Sequence, residues 1–150
     1  MSNIQNYHKP KYADFYMSLA VEASKQSVAK VATVGACIVL PNGLTSLGWN
    51  GTPSGQDNVC EWVCEDGKGY DTGKTKPNVI HAEMNAIKKL LVAGASIKGA
   101  HLYTTMAPCS KCANQLTDLG LKAVFYLNEY KDSEGIKILL DSNIDVYKKF

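Results

Sequence analysis

The run His81-Ala82-Glu83 and the run Pro108-Cys109-Ser110-Lys111-Cys112 together supply one imidazole, two sulfurs and one carboxylate. Zinc takes nitrogen and sulfur ligands in a tetrahedron, and a catalytic zinc site uses three protein ligands while keeping the fourth position for water. His81, Cys109 and Cys112 fill those three positions, which leaves Glu83 free to move protons. Two thiolates and a neutral imidazole cancel the charge of the metal and make it a weaker Lewis acid than three imidazoles would, so a strong local base becomes useful. Glu83 can accept the proton of an activated water, hand it on and later assist a leaving group. The chemistry implied is metal-assisted hydrolysis. Taken alone, Cys109 and Cys112 would also suit a structural zinc knuckle or a redox pair; the upstream histidine and glutamate, with Pro108 in place, favour the catalytic reading.

These residues need elements that aim them at one point. Cys109 and Cys112 lie three apart at a predicted helix start, so both sulfurs face the same way. The partial positive charge of that helix end favours thiolate over thiol, and Pro108 suits the first turn, where its missing N–H costs little. His81 opens a second predicted helix. On an ideal helix, residues two apart point about 200° away from each other, so His81 and Glu83 converge only if His81 sits at the helix boundary. The spacing of 28 from His81 to Cys109 leaves room for one helix and one strand, the spacing of a βαβ unit, in which sites gather at the carboxyl ends of strands.

Apolar residues from Tyr12 to Ala23 recur at helical spacing and predict an amphipathic helix over roughly 11–29. Val34 to Leu40 and Leu44 to Trp49 flank Pro41-Asn42-Gly43 and predict a hairpin. Asn50 to Asn78 carries five glycines, two prolines and no sustained periodicity, which predicts a loop, and a loop of that length in a compact domain is usually functional. Then follow a helix over His81 to Leu91 with Gly94 as its stop, a strand over His101 to Thr105, a helix over Cys109 to Leu119 closed by Gly120, a strand over Ala123 to Leu127, a helix over Ser133 to Leu140, and a short strand over Asp145 to Tyr147. Strands alternating with helices after a hairpin predict a mixed sheet with helices on both faces.

The chain has 150 residues, which predicts one domain able to bury a core without disulfides. Its hydrophobic content of 45% and charged content of 20% are those of a globular protein, and no apolar run is long enough to span a bilayer. Met1 to Lys11 lacks an apolar signal core, so a reducing, cytoplasmic setting is expected and the five cysteines read as thiols or ligands. A net charge of +2 falls short of a dedicated nucleic-acid binder and suits a small anionic substrate.

The residues above resemble the cytidine deaminase superfamily and, within it, the deoxycytidylate (dCMP) deaminases. The resemblance extends from the metal runs to Gly48-Trp49-Asn50-Gly51-Thr52-Pro53-Ser54-Gly55, where the family has Gly-Tyr-Asn-Gly, to Ile80 through Ile87, to Tyr103 through Cys112, and to the tail from Tyr126 to Val146. The stretch from Cys60 to Asn78 departs most from the family pattern. The resemblance implies a three-layer α/β/α fold around a mixed five-stranded sheet, usually assembled as a hexamer, and conversion of dCMP to dUMP with release of ammonia. It implies that Asn50 contacts the deoxyribose hydroxyl and that backbone near Ala82 and Pro108 holds the base edge; Tyr126 and Lys30 stand as further substrate contacts. It also implies activation by dCTP with Mg²⁺ and inhibition by dTTP, through a site beside Gly48, Asn50, Gly51 and Gly55. A tRNA adenosine or free-base deaminase shares the histidine-led signature, and a non-catalytic zinc fold for binding nucleic acid or protein is a third possibility.

Several of these residues have plainer readings. Asn50 is a favoured turn residue before a glycine, and Tyr126 in an apolar strand packs by default. Cys60 and Cys64 are either buried thiols or half of a second metal site. Cys37 reads as core, and His8 and His101 as surface or structural.

Overall fold

The computed structural model describes residues 10–149 apart from 31, 54, 57–59, 64–69 and 76–78. Helix α1 (Pro10–Ser24) leads into the hairpin of β1 (Gly35–Val39) and β2 (Thr45–Trp49). A small pair, β3 (Glu61–Val63) and β4 (Tyr70–Thr75), precedes α2 (Ala82–Val92), β5 (His101–Met106), α3 (Ser110–Leu116), β6 (Ala123–Asn128), α4 (Glu134–Asp141) and β7 (Asp145–Lys148). The main sheet has five strands in the order β2-β1-β5-β6-β7. Strand β1 runs antiparallel to β2 and β5, whereas β5, β6 and β7 are mutually parallel. This is the expected mixed five-stranded sheet.

Side chains alternate across a strand, and here the alternation sorts the apolar residues into two cores. Ala36, Ile38, Leu102 and Val124 face Ala86, Ile87 and Leu90 of α2, Ala113 and Leu116 of α3 and Leu139 of α4. Cys37, Val39, Tyr103 and Phe125 face Ala13, Met17 and Ala20 of α1. Among the described residues, one helix covers one face and three cover the other, which gives the three-layer α/β/α arrangement. On the α1 side the rings of Tyr103 and Phe125 stack at 4.5 Å and those of Phe125 and Tyr147 at 5.6 Å, following the register of β5, β6 and β7. His101 is buried beside Phe125, so it belongs to the core rather than to the surface.

Two elements depart from the sequence expectation. Helix α1 stops at Ser24, short of residue 29, because the chain tightens into successive i→i+3 bonds at Lys25, Gln26 and Ser27, and the Ser27 hydroxyl then donates to the Asn50 carbonyl oxygen at 2.8 Å. The segment from Asn50 to Asn78 is not all loop. Strands β3 and β4 pair within it as a separate two-stranded sheet. Their sequences lack apolar alternation, so no periodicity announced them. Helix α3 is also shorter than expected and ends at Leu116.

Candidate metal centre

The end of β2 and the start of α2 are tied together. Gly51 N–H donates to the Ile80 carbonyl at 3.1 Å and Ile80 N–H returns the bond to Gly51 at 2.8 Å, while Asn85 Nδ2 donates to the Trp49 carbonyl at 2.8 Å. Lys89 Nζ donates to the Leu47 carbonyl and lies 4.9 Å from the centre of the Trp49 ring. Gly48 allows this approach: a Cβ there would collide with the Ala82 carbonyl and the Ala86 nitrogen. The result is a fixed N-terminus for α2, with His81 immediately before it.

His81 has extended backbone angles (φ −71, ψ 156) and occupies the N-cap. The boundary position required by the spacing of two is therefore present, and Glu83 lies in the first turn of the helix, 3% exposed. Cys109 repeats the arrangement at α3: it is the N-cap, at φ −71 and ψ 169, and its sulfur accepts from the Cys112 N–H at 3.5 Å. Behind it, Gly135 of α4 packs so closely that a Cβ would strike the Pro108 carbonyl. Each cap residue is thus held by a glycine on a neighbouring element.

His81 Nδ1 lies 2.9 Å from Cys112 Sγ and 3.8 Å from Cys109 Sγ, and the three donor atoms all fall within 4.8 Å of one another. Zn–S and Zn–N bonds of about 2.3 and 2.0 Å at a tetrahedral angle place such atoms about 3.6 Å apart. The donor set and its spacing fit Zn²⁺, with a small outward adjustment at Cys112.

The electrostatics of the cluster favour a cation. A hydrogen bond from Cys112, then one from His81, hold the Cys109 thiol down to about 3, while Cys112, which keeps the shared proton, is pushed up. His81 is pushed up first by its hydrogen bond to Cys109. Burial pushes Glu83 above the usual carboxylate range, and the His81 charge pulls it part of the way back. A dication in place of the shared proton would stabilise both thiolates and the carboxylate together.

The cluster lies in a cavity of about 280 Å³, near the lower end of small-molecule pocket sizes of roughly 300 Å³. Its wall includes Asn50, His81, Ala82, Glu83, Ala107 and Cys109. Asn50 is committed to the backbone as well: Oδ1 accepts from the Val34 N–H at 2.9 Å and Nδ2 donates to the Ala32 carbonyl at 2.9 Å. These bonds hold the segment before β1, whose Ala29, Ala32 and Val34 form another part of the wall. Pro108 is fully buried and stands in the chain between Ala107 and Cys109, which line the cavity. Tyr126 is buried in β6, its hydroxyl 3.3 Å from Glu129 Oε1; Glu129, and not Tyr126, reaches the wall. Lys30 and Gly55 are exposed, Gly51 is half-buried and Gly48 is buried, and none of the four lines the cavity.

Sequence reasoning missed Glu129, Tyr130 and Lys131, which line the cavity from just beyond the carboxyl end of β6. The rule that sites gather at those ends pointed to them. Cys60 is buried and lines the same cavity, whereas Cys64 and His8 lie outside the described residues. Among the described residues, no helix is long and apolar enough to cross a membrane.

Residues 10–128 match the family of the cytidine and deoxycytidylate deaminase zinc-binding region. The chain is similar to a probable deoxycytidylate deaminase of Drosophila melanogaster, 34% identical over 162 residues that take in 99% of this chain and 79% of the fly protein. The deoxycytidylate deaminase of Homo sapiens is 32% identical over 146 residues, covering 93% of this chain and 80% of the human one. The crystal structure of the dCMP deaminase of the cyanophage S-TIM5, in complex with dCMP and dUMP, superposes with a TM-score of 0.84 at 40% identity, covering 95% of this chain and 99% of the phage chain.

Proposed function

This chain belongs to the cytidine and deoxycytidylate deaminases that share a zinc-binding region, and from that premise we propose that it hydrolyses dCMP to dUMP and ammonia. The observation that carries the reading is the meeting of the His81, Cys109 and Cys112 donor atoms within 4.8 Å in the cavity that Glu83 also lines. His81, Cys109 and Cys112 would hold Zn²⁺, which when bound supplies Lewis-acid activation of the attacking water. Glu83 holds the proton that water gives up, passes it to the ring nitrogen and assists departure of the amine, so one carboxylate serves as base and then as acid. Its burial beside the cluster keeps competing water away from that proton. By the family resemblance, backbone at Ala82 and around Pro108 holds the base edge; Asn50, bonded to Ala32 and Val34, supports the wall formed by the segment before β1.

Loss of dCMP absorbance, compared with cytidine, adenine and guanine, tests the reading. Turnover of dCMP is expected, and a zinc-loaded protein that leaves dCMP unchanged overturns it. By the same resemblance the enzyme is a cytoplasmic hexamer, activated by dCTP with Mg²⁺ and inhibited by dTTP. Light scattering is expected to give six copies, and dCTP to reshape the dCMP saturation curve. A monomer, or a curve that does not change, contradicts the corresponding statement.

A further inference from the structure

We infer that Asn85 is the positioning residue of the metal centre: it holds both peptide groups that flank His81 and so aims the imidazole, an inference that rests on the metal reading of His81 above. Asn85 lies four residues after His81 in α2, one turn from the N-cap and on the same side of the helix. Its backbone N–H donates to the His81 carbonyl at 3.0 Å. Its side-chain Nδ2 donates to the Trp49 carbonyl at 2.8 Å and lies 3.5 Å from the Ile80 carbonyl oxygen. A carboxamide nitrogen carries two donors, which matches the two carbonyls it meets. Ile80 is held further by its reciprocal bonds with Gly51.

The direction of a Cα–Cβ bond follows from the two peptide planes beside it, and those beside His81 are the Ile80–His81 and His81–Ala82 peptides. Both turn their carbonyl towards an Asn85 nitrogen. As the N-cap, at extended backbone angles, His81 has no intrahelical partner for its own N–H. A metal ligand at such a position keeps its geometry only with support from a surrounding group. Trp49 immediately precedes Asn50, whose amide bonds Ala32 and Val34, so Asn85 also registers the cavity wall against the metal ligand. Other ties between β2 and α2 touch neither peptide of His81. Ser46 Oγ donates to the Ala86 carbonyl at 2.8 Å and Lys89 Nζ to the Leu47 carbonyl at 2.6 Å. These fasten the helix to the strand, whereas Asn85 aims the ligand.

The test loads the full-length protein with Co²⁺ in place of Zn²⁺, because the ligand-field and sulfur-to-metal bands of Co²⁺ read the geometry of the centre without turnover. Zn²⁺ affinity is measured beside it by competition with a chelator. Asn85→Leu keeps the volume and removes the donors; it is expected to shift those bands at full loading and to lower Zn²⁺ affinity about 10- to 100-fold. Asn85→Ala, which leaves the space open, should do the same. Ser46→Ala loosens the same strand and helix, and should lower the unfolding midpoint while the bands and the affinity stay as in the wild type. Wild-type bands and affinity in both Asn85 variants, or an equal loss in Ser46→Ala, overturn the assignment. A wild-type protein that takes up no Co²⁺ removes the metal centre and this inference together. Weakened metal binding in the Asn85 variants of a protein that leaves dCMP unchanged would sink the proposed reaction and leave the positioning role standing.

Discussion

Glu83 is buried to 3% exposure within the first turn of α2, where burial disfavours its charged form. Glu83→Gln preserves its shape and removes its capacity to carry a proton. The variant is expected to keep stoichiometric zinc by atomic emission and to lose turnover about 10²- to 10⁴-fold; near-normal activity would contradict the shuttle role. Asn50 gives a second residue-scale prediction, because its amide bonds both Val34 and Ala32 of the segment before β1. Asn50→Ala leaves both backbone groups without their side-chain partner and should cost about 1–3 kcal/mol in denaturant unfolding. Unchanged stability with weakened substrate binding would instead mark Asn50 as a substrate contact alone. The metal set was legible at this scale because residue type and spacing state it directly. The cavity wall was not: Asn50 was expected at the sugar, and the two bonds that tie it to the chain before β1 become visible only once β1 and β2 are paired.

Elements were legible where periodicity and punctuation agreed. Asn42-Gly43 marks the hairpin and Gly94 the end of α2, whereas Gly120 lies past the end of α3 at Leu116; the spacing of His81 and Glu83 requires His81 at a helix boundary, where it stands. The β3–β4 pair escaped because residues 61–63 and 70–75 are short and largely polar, and backbone pairing leaves no signature in such strands. Helix α1 was overextended because apolar spacing says nothing of the i→i+3 bonds that end it at Ser24. Gly48 and Gly135 make the strongest element-scale prediction. Gly48 lies against α2 as Gly135 lies against the Cys109 segment. Ala at either position must push backbone apart, so each substitution should cost roughly 1–3 kcal/mol and weaken zinc retention in a competition with a chelator. Full stability with full zinc affinity in Gly48→Ala would contradict this packing role.

Across the whole molecule, the sheet divides two apolar cores, and only the face of α2, α3 and α4 bears the metal cluster. The α1 face holds Cys37 and Tyr103, both fully buried. Burial pushes the Cys37 thiol up to about 12 and raises the Tyr103 hydroxyl as well. In the unfolded chain a thiol ionises near 8.5 and a phenol near 10. The stabilisation from the neutral thiol is therefore complete below about pH 8.5 and is lost as the pH rises towards 12, at about 1.4 kcal/mol per pH unit, with Tyr103 adding to the slope from about pH 10. Unfolding measured between pH 9 and 10 should show a flatter dependence in Cys37→Ala than in the wild type, and equal slopes would contradict it. The fold class was legible at this scale from the alternation of strands and helices, since the hairpin and the βαβ repeats leave few ways to order five strands.

The most direct test of the whole is a single-turnover reaction of the zinc-loaded protein with dCMP, in which dUMP and ammonia are measured together before and after removal of the metal by a chelator. Equal amounts of dUMP and ammonia are expected, with both lost on chelation and both restored by added Zn²⁺. Intact dCMP in the presence of the loaded metal, or undiminished deamination once the metal is gone, would contradict a zinc centre of His81, Cys109 and Cys112 serving Glu83.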